Sequence, residues 1–157
     1  MNKNKVREVS NILYFAYGSN LYINRLKKRV GDWKASQKAV LNGWKLVFDK
    51  PSTNWGSAAN IRKNSNEQVF GVVYLLTEKQ FKKLQKYEQG YIEIEIPRES
   101  LDLNLNEHDI PILTFIYTNK PSLKNPRPKY LKFIIEGLKQ HGFKIDIIKK
   151  VKKIADN

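Results

Sequence analysis

Two short stretches, ILYFAYGSNL (residues 12–21) and LQKYEQGY (84–91), hold the residue types best able to do chemistry. In the first, the strand-like run Ile12, Leu13, Tyr14, Phe15 gives way to the turn residues Gly18-Ser19-Asn20. LYINRLKKRV follows, with Leu21, Leu26 and Val30 at helical spacing. A loop between the end of a strand and the start of a helix leaves backbone N–H groups without partners. Such donors favour an anion or a developing negative charge, and glycine lets a ligand approach the backbone closely. The purely structural account of the same element is that Asn20 caps the helix. In the second stretch, Glu88 falls at a predicted helix end beside Tyr87, Gly90 and Tyr91. As an exposed carboxylate it would pair loosely with Lys83 or Lys86, worth well under ~1 kcal/mol. Against that, it continues the apolar Phe81/Leu84 side of the helix and stands among tyrosines. A carboxylate held among rings has a raised pKa, and can accept and donate a proton near neutral pH.

The elements that must position these residues follow from the apolar pattern. After the first strand and a helix over about 21–29, residues 36–49 read as one long or two short strands, with Asn42-Gly43 as a bulge or a turn. Pro51-Ser52-Thr53-Asn54 marks a loop. Segments 57–63 and 68–76 read as strands joined by a hairpin at Asn64-Ser65-Asn66, and the near-continuous apolar run 69–76 suits a strand buried on both faces. Thr77-Glu78-Lys79-Gln80 fits a capping box and opens a helix expected to reach about Glu88. Residues 91–96 alternate as a strand ended by Pro97, and 111–118 give another. The proline-rich loop 119–128 leads to a helix with Tyr130, Phe133, Ile134, Leu138 and His141 on one face, stopped by Gly142. A last helix within 143–154 places Phe143, Ile147, Val151 and Ile154 along one side. The prediction is a single α+β domain of about six strands, without repeats or a domain-sized linker.

Composition narrows the function. At 41% hydrophobic and 28% charged residues, the chain of 157 reads as an ordinary globular protein. No apolar run approaches the ~20 residues that cross a bilayer, and no signal-type stretch follows the basic N-terminus, so a cytoplasmic protein is expected. The absence of cysteine excludes disulfides, thiolate metal sites and a cysteine nucleophile; the two histidines, His108 and His141, lie far apart, so no metal site is expected. The net charge of +14 raises the question of nucleic acid. Yet 23 of the 29 basic residues are lysines dispersed over separate helices, and the aromatics sit at core-like positions. A solvated lysine surface is the better account, and no nucleic-acid or membrane partner is expected.

Four motifs then occur together. YFAYGSNL at 14–21 resembles the signature of the γ-glutamylcyclotransferase family. WGSAANI at 55–61 with VFGVVYLL at 69–76 resembles its glycine-rich strand and partner; LQKYEQG at 84–90 resembles its Leu-x-x-x-Glu segment, and RPKYLKFIIEG at 127–137 its Pro-x-Tyr helix start. The resemblance runs in the family's order over roughly 12–150, with Gln89 standing between Glu88 and Gly90 where many relatives have glycine directly after the glutamate. It implies a small mixed β-barrel with flanking helices and a cavity at one mouth. It also implies intramolecular cyclisation of a γ-glutamyl group to 5-oxoproline, releasing an amino acid or amine without a cofactor. Carried over by motif, Glu88 would be the catalytic carboxylate; Tyr14, Phe15, Ala16, Tyr17, Gly18, Ser19 and Tyr130 would bind substrate. The resemblance further admits a homodimer, and an acidic carrier protein as partner. A non-catalytic module binding a γ-glutamyl or other carboxylated ligand on the same fold is the alternative. The carboxylate at 88 argues against it, because a binder of anions gains nothing from one there.

Overall fold

The strand that carries the first motif, β1 (Asn11–Ala16), lies inside a six-stranded mixed sheet. The computed structural model describes residues 10–104 and 109–156; His108 and segment 1–9 lie outside the described residues. The remaining elements are α1 (Ile23–Val30), β2 (Ala35–Ser52), β3 (Gly56–Thr77), α2 (Glu78–Gln85), β4 (Ile92–Glu95), β5 (Leu101–Asp102), β6 (Ile112–Ile116), α3 (Pro128–Gln140) and α4 (Ile145–Ala155). A one-turn 3-10 helix, Ser19–Leu21, links β1 to α1. The strand order is β4-β6-β1-β3-β2-β5, with β1 parallel to β6 and antiparallel to β3. This is the expected α+β fold, and its sheet curls into a half-barrel flanked by four helices.

Curling depends on the β2–β3 ribbon. Both strands are much longer than the usual five or six residues, and their pairing slips between Asn42 and Trp44 and between Phe48 and Lys50. At the first slip Asn42 faces Gln68 while Trp44 faces Lys63, so residues 64–67 bulge out opposite Gly43, which has φ +86°. Asn64-Ser65-Asn66 is therefore not the predicted hairpin. Its polar side chains mark an outward bulge on a strand whose two apolar ends pair with the same neighbour. The real hairpin joins Ser52 to Gly56, where Gly56 adopts φ +75°, and Asn42-Gly43 belongs to the bulge. The bent ribbon is tied to β6 by the fully buried Asn60: its amide nitrogen donates to Tyr117 O and its carbonyl accepts from Tyr117 N, as a strand partner would.

Other expectations needed adjustment at element ends. The Thr77/Gln80 capping box is present, but α2 stops at Gln85 and Glu88 sits in the turn beyond it, its amide bonded to Gln85 O. The short strand β5 was not anticipated; it is two residues on the sheet edge. On α4 Val151 is buried as expected, Ile154 and the preceding Phe143 pack partly buried against the core, and Ile148 and Ala155 are buried beside the predicted stripe.

The helix that matters most for the site is α3. A Cβ at Gly137 would lie 2.4 Å from Leu21 C and 2.6 Å from Tyr22 N, so the helix rests on the backbone of the 3-10 turn. At the helix end His141 Nε2 donates to Leu21 O at 3.1 Å and lies 2.9 Å from the Tyr74 hydroxyl. Gly137→Ala should therefore destabilise the fold by about 2 kcal/mol or more, despite alanine's better helix propensity, because the obstructing atoms are backbone. A lower urea midpoint at unchanged slope would show this.

Candidate active site

Side chains alternate along β1, so Tyr14 and Phe15 face opposite ways. Tyr14 lines a small cavity of about 40 Å³ together with Tyr17, Gly18, Ser19, Glu88 and Tyr130. These are six of the eight site residues predicted from sequence. Phe15 and Ala16 are absent from the wall; both are wholly buried, and the Phe15 ring occupies the space over Gly71, where a Cβ would come within 2.7 Å of it. Tyr91, Ala59, Thr114, Phe115 and Asn20 complete the wall. Thr114 could have been noticed as the lone hydroxyl in the apolar run of β6; its Oγ1 donates to Phe15 O at 2.7 Å. Ala59 carried no signal of its own.

Asn20 does not cap α1. The N-cap residue is Tyr22, without a side-chain bond, and Asn20 is turned inward and buried. Its amide nitrogen donates to the Tyr14 hydroxyl at 3.0 Å, and its oxygen accepts from Arg29 at 3.1 Å. The capping account fails because a buried, fully bonded side chain holds the turn against β1 and α1 instead. Gly18 has φ −116°, so no left-handed backbone requires glycine there. Space does: a Cβ would sit 3.2 Å from Ala59 Cβ and 3.6 Å from the Tyr130 hydroxyl.

Glu88 is the only carboxylate among the described residues of the wall. Its side chain is 13% exposed and lies 3.8 Å from Arg29, not beside Lys83 or Lys86. Arg29 in turn covers the Tyr87 ring at 4.7 Å. Burial raises the Glu88 pKa from 4.5 to about 7, the fields of Arg29, Lys50 and Arg25 acting in the opposite direction. Desolvation wins because the nearest cation is shared with Asn20 and makes no short contact with the carboxylate.

Four phenols surround this carboxylate, and their bonds divide them. Tyr17 donates to Phe115 O and Tyr91 donates to Ala59 O, so both offer lone pairs. Tyr14 accepts from Asn20 and Tyr130 accepts from Ala59 N at 2.9 Å, leaving their own protons to donate. Burial pushes all four pKa values up, that of Tyr130 to about 12, so all are neutral hydrogen-bonding groups at physiological pH. Among the described residues no cluster of three or more metal-ligating side chains occurs, and no helix is long and apolar enough to cross a membrane.

Residues 14–133 match the family model described as gamma-glutamyl cyclotransferase, AIG2-like. The chain belongs to this family. It is 31% identical over 150 residues to the gamma-glutamylcyclotransferase of Bos taurus, spanning 92% of this chain and 79% of the bovine protein. Against the gamma-glutamylcyclotransferase of Homo sapiens it is 31% identical over 154 residues, with the same shares. A solved structure described as gamma-glutamyl cyclotransferase superposes with a TM-score of 0.76 at 29% identity, covering 91% of this chain and 87% of that one. The cavity described above lies within the matched segment.

The Glu88 environment has a consequence for stability. Its folded carboxyl binds a proton more tightly than the unfolded one, so the contribution of Glu88 to stability is fully present below pH 4.5 and is lost as pH rises towards about 7. A gap of this size corresponds to about 3 kcal/mol. Glu88→Gln removes the dependence, so the stability of the variant relative to wild type should rise by roughly that amount across the window. Urea unfolding of both proteins at several pH values checks it; parallel curves would contradict the buried-carboxylate assignment.

Proposed function

We propose that the protein is a gamma-glutamylcyclotransferase in which Glu88 serves as base and then acid, converting the γ-glutamyl group of its substrate to 5-oxoproline. The observation that carries the reading is a single carboxylate, poised near pH 7, on the wall of a cavity otherwise lined by uncharged residues, four of them tyrosines. The substrate ammonium finds acceptors in Glu88 and in the lone pairs of Tyr17 and Tyr91, while the Tyr14 and Tyr130 hydroxyls donate to its oxygens.

Ionised Glu88 takes a proton from the ammonium. The freed amine attacks the γ-carbonyl carbon, forming the carbon–nitrogen bond of the five-membered ring, and the carbonyl electrons move onto oxygen. Glu88 hands the proton to the leaving nitrogen and the old carbon–nitrogen bond breaks. The second proton released by the ring nitrogen follows the same route, so the leaving amine departs protonated and Glu88 is ionised again. The nucleophile is tethered within the substrate, so the cavity acts chiefly by holding the ring-closing conformer. Donors fixed around the Gly18 turn would stabilise the oxyanion without reorganisation. A carboxylate with a pKa near the working pH suits both proton transfers.

Placement in the metabolism of glutathione-type compounds and a homodimer belong to the same proposal and are carried by the resemblance; a cytoplasmic location belongs to it as well. The charge of +14 supports a wider substrate range that includes γ-glutamyl groups on an acidic carrier protein, whose encounter a basic surface would accelerate. Rates on such a substrate should fall between low and high salt; rates unaffected by salt would remove the carrier from consideration.

Release of 5-oxoproline from a panel of γ-glutamyl dipeptides and amines tests the reaction. Glu88→Gln should reduce kcat by about 10²-fold or more with the fold intact. The wild-type kcat/KM should fall about tenfold per pH unit below its midpoint near 7. Arg29→Met should move that midpoint upward, because Arg29 favours the ionised carboxylate. Equal activity of wild type and Glu88→Gln would show that another residue moves the protons.

A further inference from the structure

Three cations act on Glu88: Arg25, Arg29 and Lys50. Two of them are engaged. Arg29 donates to Asn20 and faces Glu88, while Arg25 donates from Nε to the Ser19 hydroxyl at 3.1 Å and covers the Phe133 ring at 4.5 Å. The Lys50 ammonium makes no hydrogen bond or ion pair with any described residue. Its neighbour Asp49 is committed to Arg62 and Asn60, each at 2.9 Å. The slip in the β2–β3 register next to Asp49 sets Lys50 opposite Ala58, one residue from the wall residue Ala59. The Lys50 ammonium lies 4.8 Å from the centre of the Tyr91 ring, another part of the wall. A Cβ on Gly90 would stand 3.2 Å from it. Lys50 is thus a half-buried cation held over the segment that follows Glu88, preordered by the ring beneath it and without a contact ion pair among the described residues.

The charges at this mouth do not balance. With Glu88 ionised, three cations oppose one carboxylate. A γ-glutamyl amine brings one ammonium and one carboxylate and leaves the excess unchanged. A γ-glutamyl amino acid brings a second carboxylate, on the leaving side of the scissile bond. We propose that Lys50 determines specificity at the leaving-group subsite by receiving that carboxylate, so that substrates losing an amino acid are preferred to those losing an uncharged amine. The inference rests on the cyclotransferase reading for the identity of the bound group. It assigns to a β2 residue, outside all four recognised motifs, the choice that those motifs leave open.

The test compares γ-glutamyl-alanine with γ-glutamyl-alaninamide, which differ only in the terminal carboxylate. Binding is measured by calorimetry in a Glu88→Gln background, alone and combined with Lys50→Met or Lys50→Arg. Release of 5-oxoproline is measured separately with Glu88 present. Glu88→Gln alone should bind the carboxylate ligand about tenfold or more tightly than the amide, the effect of one charge-assisted hydrogen bond. Lys50→Met should bring the ratio close to one, and Lys50→Arg should keep most of it. Because the ratio is taken within one protein, any general change from the substitution cancels. A ratio near one with Lys50 present, a ratio unaltered by Lys50→Met, or no binding of either ligand would overturn the assignment. Preferential binding that depends on Lys50, without 5-oxoproline release by the wild type, would uphold the subsite while the catalytic reading falls.

Discussion

A carboxylate withdrawn from water sets the terms for the rest of this structure. Glu88 would be an unremarkable acid if its cation were close and unshared, because a short Arg–carboxylate pair drives the pKa down. Here Arg29 stands 3.8 Å away and donates instead to Asn20 at 3.1 Å. Asn20 therefore governs how much of the arginine's charge reaches Glu88. The same side chain holds Tyr14, and the Asn20 backbone carbonyl accepts from the Tyr74 hydroxyl, so one asparagine couples the turn, the central strand and the electrostatics of the cavity. Such a residue must be fully bonded, since a buried amide left half-satisfied would itself be costly.

Holding Asn20 in place requires the turn around it to be rigid. That is the task of α3, which touches the turn backbone at Gly137, reaches the Leu21 carbonyl through His141 and places Tyr130 over Gly18. The bond to Leu21 O requires a proton on His141 Nε2, which makes the Tyr74 hydroxyl its acceptor and frees that hydroxyl to donate onward to Asn20 O. Burial lowers the His141 pKa, so the ring is neutral and this chain of donors keeps one direction at physiological pH. The opposite wall is fixed by the curled β2–β3 ribbon, whose Ala59 backbone both donates to Tyr130 and accepts from Tyr91. One residue thus fixes the hydrogen-bonding roles of two phenols.

Much of this was legible in the sequence because period and punctuation carry it. The capping box at Thr77, the strand-to-turn switch after Phe15 and the Pro-started helix bearing Tyr130 each express a local rule, and local rules survive folding. What was not legible depends on partners distant along the chain. The Asn64-Ser65-Asn66 stretch has hairpin composition, yet the flanking segments both pair with β2, and no local signal distinguishes a bulge from a reversal. Asn20 has the composition of a cap and the environment of a core residue, decided by Tyr14 and Arg29 six and nine positions away. Arg29 looked like one more charge on a basic helix, although Arg25 and Arg29, spaced i and i+4 behind the turn, face one side of it. Phe15 and Ala16 share the motif with Tyr14, but the alternation of β1 sends Phe15 into the core, and Ala16, on the same side of the strand as Tyr14, is wholly buried without reaching the wall.

The division of labour in the cavity follows from what burial does to each acid. Desolvation raises the pKa of a phenol and of a carboxyl alike. Starting from 10.0, it moves the four tyrosines beyond any role in proton transfer at neutral pH; starting from 4.5, it brings Glu88 to about 7. The same aromatic enclosure therefore silences the hydroxyls as acids while preserving them as directed donors and acceptors, and leaves Glu88 as the one group among the described wall residues that titrates near neutral pH. Opening the cavity to water would return Glu88 towards an ordinary acid and loosen its hold on a proton at neutral pH. Enclosure, the raised pKa and the fixed hydroxyls are for this reason a single physical feature, and the bent sheet and clamped turn are what maintain it.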